Sequence, residues 1–309
     1  MKKTAIIAAL LALVATAATA APKYTIGLVQ IVEHPSLDEV RYAIIDELAR
    51  KGYGPDTVKI DYQNGQNSPS LISTICQKFV SQNVDLIIPI GTTATQCAAA
   101  ATDSIPIVFA AVSDPIAAGL VKDLDKPDGN VTGISDAITP TRTFDLAEEL
   151  TPGIKTFGVI HNPAEANSSS TARKAIAEIE KRGMSYREAA VSTSGEVPAA
   201  ISSLVGKVDA VYIPDDNTTA TAMTLLSEIA IENKLPVYAA VDSLVHDGAI
   251  ATCGASYTNV GEQAARMAAR VLEGAKIADT PIETVDGGII EVNEKTAAAL
   301  GIDVSKYTK

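Results

Sequence analysis

Polar residues gather where apolar runs stop. The segment FAAVSDPIA (109–117) halts at Ser113, Asp114 and Pro115. Other apolar runs end in the same manner. Gln30 is followed by Glu33-His34-Pro35, and another run closes on Gly91-Thr92-Thr93. Further along come His161-Asn162 with Glu165 and Asn167, then Asp215-Asp216-Asn217, then Asp242-Ser243. This set suits a small zwitterion. A ligand ammonium needs a carboxylate, which Asp114, Asp215, Asp242 or Glu165 would supply. A ligand carboxylate needs hydroxyls and helix N-terminal N–H groups, which Thr92, Thr93 and Ser113 could frame. Each residue has a plainer role, since Ser, Thr, Asp and Asn are also the preferred helix N-caps. Thr92-Thr93, Thr218-Thr219 and Ser168 to Ser170 all precede helical segments. A cap needs one residue per helix, however, and most of these tips hold two or three.

Catalysis finds little support in the same residues. His34, His161 and His246 lack metal-binding spacing, and no G-x-S-x-G elbow, Walker loop or G-x-G-x-x-G fingerprint occurs. The expectation is no metal, no cofactor and no enzyme. Ser113-Asp114 meeting His34 or His161 after folding is the nucleophilic alternative.

The elements that must position these tips alternate. Apolar runs of strand length cover residues 25–32, 58–62, 84–90, 105–112, 155–160, 208–213, 236–241 and 249–253. Helical periodicity marks 37–49, 71–80, 173–180, 220–231 and 261–272. Such alternation implies parallel sheets with helices on both faces, an α/β architecture. In open sheets of this kind, ligands bind beyond the carboxyl ends of the strands. That rule nominates the polar tips.

The chain also resembles itself. TIGLVQ (25–30) matches TFGVIH (156–161), VDLIIPIGTTAT (84–95) matches VDAVYIPDDNTTAT (208–221), and IPIVFAAV (105–112) matches LPVYAAVD (235–242). The order and near-constant offset imply two similarly built lobes, with a boundary after NVTGIS (130–135).

At the N-terminus, Lys2 and Lys3 precede an apolar stretch over 6–14 and then Ala18-Thr19-Ala20. This is the pattern of a cleaved signal peptide over residues 1–20, too short to span a bilayer. The formal charge of −12 would become −14 without the two lysines. So acidic a chain disfavours nucleic acid and anionic membranes. Cys76, Cys97 and Cys253 lack metal spacing and read as small buried hydrophobes, with a Cys76–Cys97 disulfide as the alternative. Aromatic residues make up only 4% and Trp is absent, which argues against a sugar-stacking site. Tyr24, Phe109, Tyr212, Tyr238 and Tyr257 lie close enough to strands to line a pocket, or to pack the core.

GLVQIVEHPSLDEVRYAIIDEL, IPIVFAAVSDPIAAGLV, GNVTGISD, NPAEANS, LVGKVDAVYIPDDNTTA and GEQAARMAARVLEGA resemble the ABC-transporter substrate-binding proteins of the tryptophan-binding type. The resemblance covers essentially all of the chain beyond the signal peptide. It implies a two-lobe, hinged type I periplasmic-binding-protein fold. One lobe would hold 21–135 plus 255–285, and the other 136–254 plus 286–309. It implies a small ligand, an amino acid with an aromatic one as the narrower option, captured by a periplasmic monomer and passed to an ABC permease with its ATPase. By motif the site positions would be Glu33, His34, Thr92, Thr93, Ser113, Asp114, Glu165, Asn167, Asp215, Asn217 and Asp242. Two departures stand out. No lipid-anchor Cys follows the signal, and the tip after Val241 reads Asp242-Ser243 where a Glu-rich tip is expected. A racemase-like enzyme or a ligand-sensing module on the same scaffold are the rival readings. A racemase of this build would place a Cys at each facing tip, whereas Cys97 falls inside a helical segment.

Overall fold

The computed structural model describes residues 22–137, 139–285 and 288–308. The predicted signal segment lies outside them. The first sheet takes β1 (Tyr24–Gln30), β2 (Val58–Asn64), β3 (Leu86–Ile90), β4 (Ile107–Ala110), β5 (Val131–Ser135) and, from much later, β11 (Glu283–Thr284). The second takes β6 (Thr156–His161), β7 (Ser185–Ala190), β8 (Ala210–Ile213), β9 (Val237–Ala239), β10 (Ala251–Gly254) and β12 (Ile289–Val292). Their orders correspond strand for strand: β11-β5-β4-β3-β1-β2 and β12-β10-β9-β8-β6-β7. All pairings are parallel except β10 with β12.

The repeat seen in the sequence is therefore structural, down to one shared detail. Asp85, just before β3, accepts from the Thr25 N–H at 2.7 Å. Its counterpart Asp209, just before β8, accepts from the Lys155 and Thr156 N–H groups, both at 2.9 Å. Central strands such as β3 (LIIPI) and β8 (AVYI) are buried throughout, which explains their unbroken apolar character.

Helices fill the connections. In the first lobe they are α1 (Pro35–Arg50), α2 (Pro69–Ser81) and α3 (Thr92–Ala101). The second has α4 (Thr141–Leu150), α5 (Ala166–Lys181), α6 (Val197–Leu204), α7 (Asn217–Thr221), α8 (Met223–Glu232) and α9 (Asp242–His246). The chain then returns through α10 (Tyr257–Leu272), which packs on α1, β4 and β5, and ends with α11 (Glu294–Leu300) near α8. In strand β1 the backbone of Gly27 runs so close to α2 that an added Cβ would sit 2.5 Å from the Phe79 ring.

Four strands went unpredicted. β7 (SYREAA) is an edge strand exposed over most of its length, so it carries no apolar run. β5 falls in the stretch read as a lobe boundary, and β11 and β12 are short. The single helix expected over 220–231 is two, broken at Ala222, whose backbone (φ −112°, ψ 12°) leaves the helical region. The three cysteines are free thiols: Cys76 and Cys253 are buried and Cys97 half-buried. No helix of the described residues is long and apolar enough to cross a membrane.

Candidate ligand-binding site between the lobes

The carboxyl ends of both sheets meet. His34 Nε2 donates to Asn217 Oδ1 at 3.2 Å, and Ser243 donates to Ser36 at 2.5 Å. Ser113 donates to Asp215. Asp114 accepts from Ser170 at 2.9 Å and from Lys174 at 3.0 Å. Each contact joins a residue of the first lobe to one of the second, so the lobes are closed on one another.

A cavity lies inside this seam, lined chiefly by Ser113, Asp136, Thr143, Lys174, Tyr212 and Asp215, with Pro140, Ala240 and Val241 on its apolar side. Its free volume is small, about 20 Å³, little more than a water molecule needs. Behind the apolar wall, Tyr212 packs on Phe144 with ring centroids 4.9 Å apart, and Phe144 meets Phe157 edge-on at 5.0 Å.

Two carboxylates dominate its chemistry, Asp136 buried and Asp215 half-buried. Asp136 follows β5 and Asp215 follows β8, and the Tyr257 hydroxyl stands between them. It lies 3.0 Å from Asp136 Oδ2 and 3.2 Å from Asp215 Oδ1. The second Asp136 oxygen is buried without a hydrogen-bond partner among the described residues. Among the described residues no Lys or Arg pairs with either acid; Lys174, on the cavity wall, is held by Asp114. Burial, and then the charge of Asp136, push Asp215 up to about 7. Burial raises Asp136 as well. The Tyr257 phenol is driven up by burial and by both acids. An ammonium placed here would meet two carboxylates and relieve a buried like-charge contact.

The nominated residues divide. Ser113 and Asp215 line the cavity. Asp114 borders it through Lys174 and also caps its own turn, accepting from the Ala117 N–H at 3.0 Å. Burial works upward on Asp114, but that N–H, Lys174 and Ser170 outweigh it and leave the carboxyl lowered. His34 and Asn217 bind each other across the seam, and burial lowers the His34 imidazole. Asn167 donates to the Asp215 carbonyl at 3.1 Å, which fixes the tip carrying Asp215. Four others stand apart from the cavity. Glu33 is exposed and bound to Arg41 (3.1 Å) and Tyr62 (2.9 Å). Glu165 is buried within the second lobe, accepting from Asn217 and Thr218 backbone and side-chain groups at 2.6 to 3.2 Å. It braces the tip rather than facing the cavity. Asp242 opens α9, half-buried, with its carboxyl pushed up to about 6 by burial and then by Glu39. Thr93 lies half-buried in the first turn of α3.

The capping alternative also divides. The N-cap of α3 is Gly91, and the Thr92 hydroxyl is buried with no partner. The N-cap of α7 is Asp216, accepting from the Thr219 N–H at 2.6 Å, so Asp215 is free to face the cavity. Ser168, Ser169 and Ser170 are not caps, because α5 already begins at Ala166. Ser168 donates to Asp216 at 2.5 Å and Ser170 reaches Asp114. Asp136, Thr143 and Lys174 escaped the sequence reading. Asp136 had a signal, since it ends NVTGISD as the other tips end in Ser or Asp.

A family model described as ABC transporter substrate binding protein matches residues 25–307. The chain belongs to this family. It is thus a substrate-binding protein and not an enzyme, with the two-lobe fold of periplasmic binding proteins. The racemase alternative falls on this ground. A tyrosine-binding protein of Clostridioides difficile is 44% identical over 290 residues, covering 92% of this chain and 84% of the relative. A structure from Streptococcus pneumonia, an ABC domain in complex with L-Trp, is 37% identical with a TM-score of 0.88, covering 91% of this chain and 96% of that one. A ligand-free, open structure of a substrate-binding protein with adhesive properties from Clostridium difficile is 41% identical, yet its TM-score is 0.70 at coverages of 91% and 95%. The more similar sequence superposes less well. That relative is described as open, whereas direct contacts across the seam hold the lobes of this chain closed.

Proposed function

We propose that this protein is the periplasmic solute receptor of an ABC importer and that its solute is an aromatic amino acid. Residues 21–135 with 255–285 would form one lobe and 136–254 with 286–309 the other, hinged where the chain crosses between sheets. The observation that carries the ligand class is the Asp136–Asp215 pair, set in the seam with no protein cation paired to it among the described residues. A ligand α-ammonium fits between these acids, bridged by Tyr257. Lys174, Thr171 and Ser113 lie on the same cavity for the α-carboxylate. The apolar side formed by Pro140, Tyr212, Ala240 and Val241 suits a flat ring. The binding of L-Trp and of tyrosine by the relatives named above supports this reading. The free space cannot admit an indole, so capture requires the lobes to part and reclose around the ligand. Membership of the family supports delivery to a permease with its own ATPase.

Calorimetry with L-tyrosine, L-tryptophan and the desamino analogue 3-(4-hydroxyphenyl)propanoate tests the ligand class. Loss of the ammonium should weaken binding by ~2–5 kcal/mol, the cost of leaving a buried charge unpaired. Equal affinity for tyrosine and its desamino analogue would overturn the assignment, as would failure of both amino acids to bind.

A further inference from the structure

The acid pair carries a second consequence, which rests on the ligand reading above. A phenol has one proton. Tyr257 can donate it to Asp136 at 3.0 Å or to Asp215 at 3.2 Å. The remaining oxygen–oxygen contact is attractive only when that carboxyl carries a proton and donates it to the phenol oxygen. Ser113 lies within reach of both acids, but its single hydroxyl proton, directed to Asp215, cannot serve Asp136 at the same time. The hydrogen-bond count of the closed, unliganded seam is completed by one extra proton.

The surroundings favour that proton. Asp215 is flanked on its own lobe by Asp216 and Tyr212, and Asp242 of α9 bears on Tyr257. Lys174 of α5 is the facing cation, and Asp114 already neutralises it. From the first lobe come Ser113 and Tyr257, with Asp136 at the crossing that follows β5. The pair is also placed to sense closure. Asp136 sits where the chain leaves β5 for the second lobe, and Tyr257 where it returns from β10 into α10. Asp215 belongs to the opposite rim, so opening the seam separates it from both.

We propose that closure of the lobes without ligand takes up one proton onto the Asp136–Asp215 pair, and that the ligand's ammonium displaces that proton on capture. The receptor thereby closes empty in acid and stays open when the pair is ionised. The rise of Asp215 to about 7 agrees with the geometry. With the lobes open, water returns both acids toward about 3.9. Closure then binds a proton between these two limits, so lowering the pH through that window favours the empty closed form. Ligand affinity moves the other way, falling by up to about tenfold per pH unit on acidification as each capture expels a proton.

Small-angle scattering on protein refolded free of ligand tests the first half. The radius of gyration should fall between about pH 8 and about pH 5.5 in the wild type. Asp215→Asn carries a permanent donor and should be compact at both; Asp136→Asn provides a second variant should that one misfold. A wild-type radius that ignores pH, or an Asp215→Asn protein that tracks the wild type, overturns the proposal. Calorimetry of L-tyrosine and L-tryptophan at about pH 6, in buffers of different ionisation enthalpy, tests the second half. Release approaching one proton per ligand is expected, and none would refute it. Binding without a pH-dependent radius would sink this inference and leave the ligand assignment standing. A pH-dependent radius without binding would overturn the ligand assignment and the displacement step, and leave the proton-coupled closure standing.

Discussion

The third strand of each lobe begins alike and ends differently. VDLIIPI runs into Gly91-Thr92-Thr93, whereas VDAVYI runs into Pro214-Asp215-Asp216-Asn217-Thr218-Thr219. The second tip is two residues longer before the shared TTAT. In the first lobe a glycine caps the following helix and the tip carries no charge. In the second, Asp216 takes over capping and anchoring, accepting from the Asn162 N–H, Ser168 and the Thr219 N–H at 2.5 to 2.6 Å. That frees Asp215 to face the cavity. Two adjacent aspartates thus divide one position's duties into structure and recognition, and the two lobes supply unequal halves of the site.

Asp215→Ala should break this comparison most severely. We expect ligand affinity to fall by ~2–5 kcal/mol with the fold retained, measured by calorimetry alongside circular dichroism. Asp216→Ala should do the opposite. It strands three buried donors, costs roughly 2–4 kcal/mol of stability in urea melts, and affects binding only through the disordered tip. If both variants lose affinity equally while keeping their stability, the division of labour is wrong.

The half-buried acids of the second rim also set a pH dependence. Asp215 near 7 and Asp242 near 6 both lie above their unfolded values. The folded state therefore binds protons more tightly than the unfolded chain. Stability from these groups is complete below about 3.9 and is lost as pH rises through about 6 to 7. The ligand-free melting temperature should drop across that window, and Asp215→Asn should flatten the drop.

Equivalent positions in the two lobes sharpen the contrast further. Gly27 and Gly158 match in the repeat. An added Cβ would meet the Phe79 ring at 2.5 Å in one and the Leu204 Cδ1 at 2.7 Å in the other. Gly27→Ala should cost roughly 1–3 kcal/mol by overpacking, and Gly158→Ala less, because a leucine end can rotate away from the clash where a wedged ring cannot. Denaturant midpoints would rank them. Thr92 and Thr218 also correspond. Thr218 donates to Glu165 at 2.7 Å and accepts from Asn162 at 2.9 Å, while the Thr92 hydroxyl has no partner. Thr218→Val should lose about 1–3 kcal/mol, and Thr92→Val should change stability by less than about 0.5 kcal/mol.

Much of the architecture was legible because strand and helix periodicity record local burial. Apolar runs located the central strands, and the repeat foretold two sheets of matching order. β7 was invisible because an exposed edge strand leaves no apolar trace. The site was read less evenly. Ser113 and Asp215 were found because they end buried strands, and Glu33 was nominated on the same ground although its side chain turns outward to Arg41 and Tyr62. Tyr257 was noted only as a ring near a strand, because its role depends on a hydroxyl aimed at two acids from distant segments.

By itself, then, the sequence determined the alternation of strands and helices, the duplication, the acidic surface and a short set of polar tips. Those properties are local, written in the pattern of apolar side chains along each element. Only the tertiary structure decided which tips face one another. Asp136 and Tyr257 lie 121 positions apart, and Asp215 and Ser113 lie 102 apart. Their meeting depends on how one lobe is set against the other, an arrangement that no single element's periodicity encodes.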